Sequence, residues 1–110
     1  MTIIARTTIS IRLPHETKDM EVRLCAPEPI ENGCWRCRYE IDWPDYPRNF
    51  HGHGANSMQA LVLSLQMLGA ELYASQAHKE GRLNGGQGGY GIPVPSNFRP
   101  DLVGDDAKYL

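Results

Sequence analysis

Two pairs of residues in this 110-residue chain have the type and spacing that chemistry uses: Cys34-x-x-Cys37 and His51-x-His53. A Cys-x-x-Cys pair can supply half of a tetrahedral zinc site or a dithiol redox centre, and either use needs both thiolates on one side. The surrounding pattern argues against that. Trp35, Cys37, Tyr39, Ile41 and Trp43 alternate with Cys34, Arg36, Arg38, Glu40 and Asp42, the period of a strand whose side chains turn to opposite faces. Cys37 then falls on the apolar face and Cys34 on the polar one, and no second Cys-x-x-Cys exists. His51 and His53 lie in a stretch punctuated by Pro44, Pro47, Gly52 and Gly54, which reads as a loop over residues 44–55. A metal needs three or four converging ligands, and Cys34, Asp42, Asp45 and His15 are the residues available to join the pair. Ser57 beside His53 lacks a nucleophile elbow, and the Gly85–Gly91 run lacks the Gly-Lys-Ser/Thr ending of a phosphate loop. No catalytic, cofactor-binding or metal-ligating residue is assigned on these grounds. A small metal-binding protein or enzyme using the His51/His53 loop with Cys34 is the alternative.

The elements that position these residues are legible from periodicity. Residues 3–13 alternate, with Ile9 and Ile11 on one face and Arg6 and Arg12 on the other, and Pro14 stops them. Met20, Val22, Leu24 and Ala26 alternate with Glu21, Arg23 and Cys25. The third strand, 34–43, carries the Trp/Cys/Tyr face described above. From Asn56 the period changes to that of a helix, with Asn56 as N-cap and Gln59 completing a capping box. The helix runs from Ser57 to about His78, and Met58, Leu61, Val62, Leu65, Leu68, Gly69, Leu72 and Gln76 form the stripe expected to pack on the sheet. The expected fold is α+β: a three-stranded antiparallel meander packed against one long C-terminal helix over residues 1–84. An extended Gly/Pro-rich tail over 85–110 follows it.

Two surfaces stand out on that framework. Five of the eight arginines (Arg6, Arg12, Arg23, Arg36 and Arg38) fall on the outer sheet face with Glu21, Glu40 and Asp42. Arg23, Arg36 and Arg38 are the candidates for binding carboxylates on an acidic partner. Leu63 and Met67 lie on the helix opposite the main stripe, and form an apolar strip suited to a partner or a homodimer seam.

Composition bounds the rest. The net charge of −2 and pI of about 6.0 argue against general nucleic-acid binding. No apolar run approaches the roughly 18 residues of a membrane span. Three cysteines and an N-terminus without the parts of a secretory signal point to a cytoplasmic protein. The segments Ile4-Ala5-Arg6-Thr7, Trp35-Arg36-Cys37-Arg38-Tyr39-Glu40-Ile41 and Ser57-Met58-Gln59-Ala60-Leu61-Val62-Leu63-Ser64-Leu65 resemble a family of small bacterial domains with no established activity. The resemblance spans roughly residues 3 to 73 and implies a fold and a bacterial origin. By analogy with other small domains, it suggests an immunity protein that neutralises an interbacterial toxin. The expected function is thus a non-enzymatic protein-binding domain, with a structural homo-oligomer as a further alternative.

Overall fold

The computed structural model describes residues 2–86 and 89–110, with all side chains among them except that of Tyr109. The chain is a mixed α+β structure. Its strands are β1 (Ile3–Arg12), β2 (Thr17–Cys25), β3 (Glu28–Pro29), β4 (Trp35–Ile41), β5 (Arg48–Gly54) and β6 (Leu83–Asn84). The helices are α1 (Ser57–Ala74), α2 (Gln76–Lys79) and α3 (Gly104–Tyr109). The antiparallel sheet has the order β3-β4-β2-β1-β6, with β5 added to β4. This corrects the expected three strands to six. The largest addition, β5, occupies the stretch expected to be a loop, where Pro and Gly mask a strand. By register Phe50, Gly52 and Gly54 start from one face and Asn49, His51 and His53 from the other, while the Phe50 and His51 rings lean together and stack with centroids 5.3 Å apart. No helix among the described residues is long and apolar enough to cross a membrane.

The chain forms two compact units, each assembled from two stretches. The first comprises Met1–Thr7 and Glu21–Leu65. Its core is Val22, Leu24, Cys25, Cys37, Tyr39, Ile41, Ala60 and Ser64, all buried. The β2–β4 register pairs Val22 with Ile41 and Leu24 with Tyr39, so the alternation of the two strands stacks apolar on apolar. Cys25 departs from its strand's alternation. It was expected outside with Arg23 but is buried, where β2 ends before Pro27 and its carbonyl accepts the Cys37 thiol at 3.2 Å. On β5, Gly52 and Gly54 let the helix backbone come in close. A Cβ on Gly52 would stand 2.8 Å from the Ser64 nitrogen, and one on Gly54 would collide with the Ala60 nitrogen. Helix α1 begins on Asn56, whose Oδ1 accepts from the Gln59 nitrogen (2.9 Å), while Gln59 Oε1 accepts from the Ala55 nitrogen (2.6 Å).

The close approach rotates the helix away from the expected face. Ala60, Ser64, Leu68 and Leu72, spaced four apart, are its buried line, whereas Met58 is 77 % exposed and Val62 48 % exposed. Counting large apolar residues selects Met, Leu and Val, but a helix seated on glycines needs small residues at the seam. Leu63 and Met67 therefore flank the buried line rather than oppose it.

The second unit comprises Thr8–Met20 and Gln66–Leu110. Ile9, Ile11, Met20, Leu68, Leu72, Tyr73 and Ala77 are buried in it. The long helix stops at Ala74. Ser75 Oγ donates to the Leu72 carbonyl (2.7 Å) and accepts from the His78 nitrogen (3.1 Å), which caps α2 and breaks the helix expected to run on to His78. β6 then pairs with β1 at Ser10 and Ile11. The segment beyond residue 84, expected to be an extended tail, contains a 3-10 turn (Ser96–Asp101) and α3, and buries Tyr90, Ile92, Val94 and Asp106. Pro93 and Val94 lie directly on Gly69 of α1, where a side chain would collide with the Pro93 carbonyl. Within the Gly85–Gly91 run, residues 87 and 88 lie outside the described set.

Replacing Gly52 with Ala should cost about 1–3 kcal/mol, because the helix backbone must move; urea denaturation measures it, and an unchanged midpoint would show the seam to be looser than described. Leu72→Ala should cost about 2–5 kcal/mol. Leu65→Ala should cost clearly less, since Leu65 is only half-buried, and the same titration ranks the two.

Candidate functional site

The outer sheet face carries the arginines where alternation places them, and most are already occupied. Arg23 Nη1 and Nη2 make a two-pronged contact with Asp42 (2.8 and 2.6 Å), its Nε donates to Glu40 (2.7 Å) and Nη1 also reaches Glu21 (2.9 Å). Those bonds, Asp42 first, push the guanidinium still further up its already basic range. Arg23 is thus an internal clasp across β2 and β4 and offers little to a partner's carboxylate. Arg6 sits at the edge of this cluster, 3.4 Å from Glu21.

Arg36 and Arg38 are arranged differently. Arg36 donates through Nε (3.0 Å) and Nη2 (2.7 Å) to Glu28 on β3. Arg38 Nε approaches the same carboxylate oxygen at 3.4 Å, is buried, and makes no hydrogen bond there. Two guanidiniums share one carboxylate, which leaves a local positive surplus. The β4–β5 register pairs Arg36 with His53 and Arg38 with His51, so both histidines join the arginines on this face. Their rings stand 4.7 Å apart at 83°. Burial, then His53, Arg36 and Arg38, lower the His51 pKa. The flanking positive charge opposes a bound cation as it opposes a proton. Among the described residues no three His, Cys, Asp or Glu side chains gather where they could hold a metal. Cys34 is exposed, whereas Cys25 and Cys37 are buried, and burial raises both of their thiols above the ordinary range.

The other surface lies where α1 meets β5. Leu63 is 39 % exposed and Phe50 38 % exposed, each close in sequence to the Gly52–Ser64 contact, with Met58 and Val62 on the side of the helix turned away from β5. Met67, named with Leu63 from sequence, is half-buried. Phe50 lies opposite Tyr39, ring centroids 6.4 Å apart, and carries the Arg48 guanidinium 4.8 Å over its ring. β5 pairs with β4 along its whole length and with no other strand among the described residues, so its far edge is open. Sequence reading missed this edge, although the alternation of His51-Gly52-His53-Gly54 was a period-two signal.

A buried polar cluster in the second unit was also missed. Asp106, 2 % exposed, accepts from the Tyr73 hydroxyl and from the Tyr90 and Gly91 nitrogens, each at 2.7 Å. The Tyr90 hydroxyl bonds His78 Nδ1, and the His78 ring packs edge to face on Tyr73 and Tyr90, which are tilted against each other. Burial, then Asp106, push Tyr90 up to about 12, so its phenol stays protonated. Tyr73, His78, Lys79, Phe98 and Asp101 border an open hollow of 510 Å³. The carboxylate is fully engaged in pinning the C-terminal segment to α1, a structural use. A lone aspartate in a polar tail has no periodic signature to announce it.

Asp106→Ala should cost about 1–3 kcal/mol for each buried donor left unpaired, with unfolding in urea as the measure. The Arg23 clasp generates a pH prediction. Its guanidinium holds the Asp42 carboxyl below its ordinary value, as Arg36 does for Glu28. Stability from such lowered groups is complete above the unfolded carboxylate value near pH ~4 and is lost as pH falls through the lower folded values. Arg23→Met should therefore lie below the wild type at neutral pH and converge on it under acid conditions. Parallel curves in urea titrations across that range would refute the clasp.

A model of a domain family, described as "Domain of unknown function (DUF6968)", matches residues 5–94, from β1 to the buried Val94. No curated protein and no solved structure matches the chain. The family match spans well over half of the sequence and ends past the Gly-rich run, inside the segment that packs on α1; the chain belongs to this DUF6968 family of domains of unknown function.

Proposed function

We propose that this chain is a protein-binding domain and not an enzyme, of the kind that in bacteria serves as an immunity protein and neutralises a toxin by occupying its surface. The observation that carries it is the set of large apolar side chains left exposed on α1 and β5 of the first unit. Phe50, Met58, Val62 and Leu63 are between 38 % and 77 % exposed, on β5 and the helical turns seated over it. Exposed apolar side chains gathered on neighbouring elements are the surfaces that partners cover. The arginine face supports the reading in a narrower way than its composition suggested, because Arg23 is consumed internally while Arg36 and Arg38 retain a positive surplus. The use of His51, His53 and Cys34 as a metal or catalytic site is less well supported, since both histidines stand beside guanidiniums that repel a cation.

A chain carrying Val62→Asp and Leu63→Asp keeps its core, because both positions are exposed. It should lose a partner that the wild type holds at one-to-one stoichiometry in native mass spectrometry after purification from its own cells. Equal capture by both would refute the flank as the binding surface. If the same pair of substitutions instead converts a wild-type dimer to a monomer in light scattering, the domain is a homo-oligomeric building block. For the toxin role, the bound partner should stop growth when expressed alone and cease to do so with the wild-type chain, but not with the double variant.

A further inference from the structure

We propose that the partner enters as an extended strand added to the open edge of β5, with apolar residues turned toward Leu63 and Phe50 and acidic residues turned toward the outer face. This rests on the protein-binding role above and names the chemistry of the partner segment.

Three observations converge on it. The first is the edge itself. β5 is seven residues long, and all seven are in register with β4, so it is fully formed and carries no bulge. Its other side meets no strand among the described residues, which leaves a row of backbone donors and acceptors facing outward. The second is the inner face. Gly52 and Gly54 have no side chains, so an incoming strand beside them meets the helix at Leu63 and the β5 side chain of Phe50, both more than a third exposed. An apolar side chain at every second position would cover both. The third is the outer face. The same strand's alternate residues emerge beside His51 and His53, with Arg36 and Arg38 on the next strand inward. The neighbouring acids do not cancel this. Glu28 lies on the far side of β4 and is shared by two arginines, and Glu40, opposite Asn49, is bonded to Arg23. Carboxylates on the added strand therefore meet net positive charge. The same geometry disfavours a second copy of this chain as the occupant, because pairing β5 with β5 brings two such arginine-backed faces together and supplies no carboxylate to either.

The test uses the full chain and labelled peptides the length of β5. One alternates valine and glutamate, one alternates valine and lysine, and a third is the glutamate peptide with every backbone nitrogen methylated. Binding is read by fluorescence anisotropy at about 50 and about 300 mM salt. The glutamate peptide should bind and weaken with salt, with chemical-shift changes in isotope-labelled protein concentrated on β5 amides. The lysine peptide should bind at least about tenfold more weakly, and methylation should abolish binding, because it removes the backbone donors and leaves side chains and charge intact. His53→Glu, at an exposed position, should lower affinity for the glutamate peptide and raise it for the lysine peptide without shifting the urea midpoint. Equal binding of the acidic and basic peptides, binding that survives methylation, no binding of any peptide, or a dimer sealed through β5 would each overturn the inference. If no peptide binds while Val62→Asp/Leu63→Asp still loses its captured partner, strand addition fails and the broader binding role stands. If the peptides behave as expected and the captured partner is indifferent to that double variant, the edge accepts strands but the partner docks elsewhere.

Discussion

The first unit depends on one close approach, that of the α1 backbone to β5 at Gly52 and Gly54. Packing at this distance has no room for a Cβ, so the strand supplies glycines and the helix supplies Ala60 and Ser64. Dispersion gain rises steeply as surfaces close, which favours the tight seam over a looser one lined by large side chains. The consequence is a rotation of the helix about its axis. Residues that a hydrophobic stripe would bury, Met58 and Val62, are turned out, and Leu63 is left at the margin. The exposed apolar flank is the counterpart of a tight internal seam.

The second unit is organised by a carboxylate. Asp106 collects a phenol and two backbone N–H groups in a buried setting, where each hydrogen bond to a charge is strong and each loss is costly. Around it the aromatic rings of Tyr73, His78 and Tyr90 close on one another, and Pro93 and Val94 settle on Gly69. Glycine again marks the place where backbone meets helix. A segment with the composition of a linker thereby becomes part of a packed core.

On the outer sheet face, arginine counts alone misjudge the available charge. Arg23 spends all its reach on three carboxylates, whereas Arg36 and Arg38 divide one between them. Cross-strand register decides which guanidinium meets which acid. The surplus falls at the β4–β5 end, alongside the open edge, so backbone, apolar and charged features coincide on one short strand.

Alternation alone determined much of this protein. It sets the inward faces of β1, β2 and β4, places Arg23, Arg36 and Arg38 on one side, and separates Cys34 from Cys37; the Asn56 cap and the onset of α1 follow from local hydrogen-bonding chemistry. Each of these is a property of neighbouring residues, and period and capping act over a few positions. Only the tertiary structure decided that His51-Gly52-His53-Gly54 is a strand, because its alternation runs through glycines that carry no strand preference and gain their role from the helix that lies on them. Likewise, only long-range contacts decided that Ala60 and Ser64 outrank Met58 and Val62 for the core, that Arg23 is consumed, and that Asp106 fastens the C-terminal segment. Those outcomes depend on contacts between different elements, such as Gly52 with Ser64 and Asp106 with Tyr73, and the free energy of such contacts is not written in the spacing of either partner.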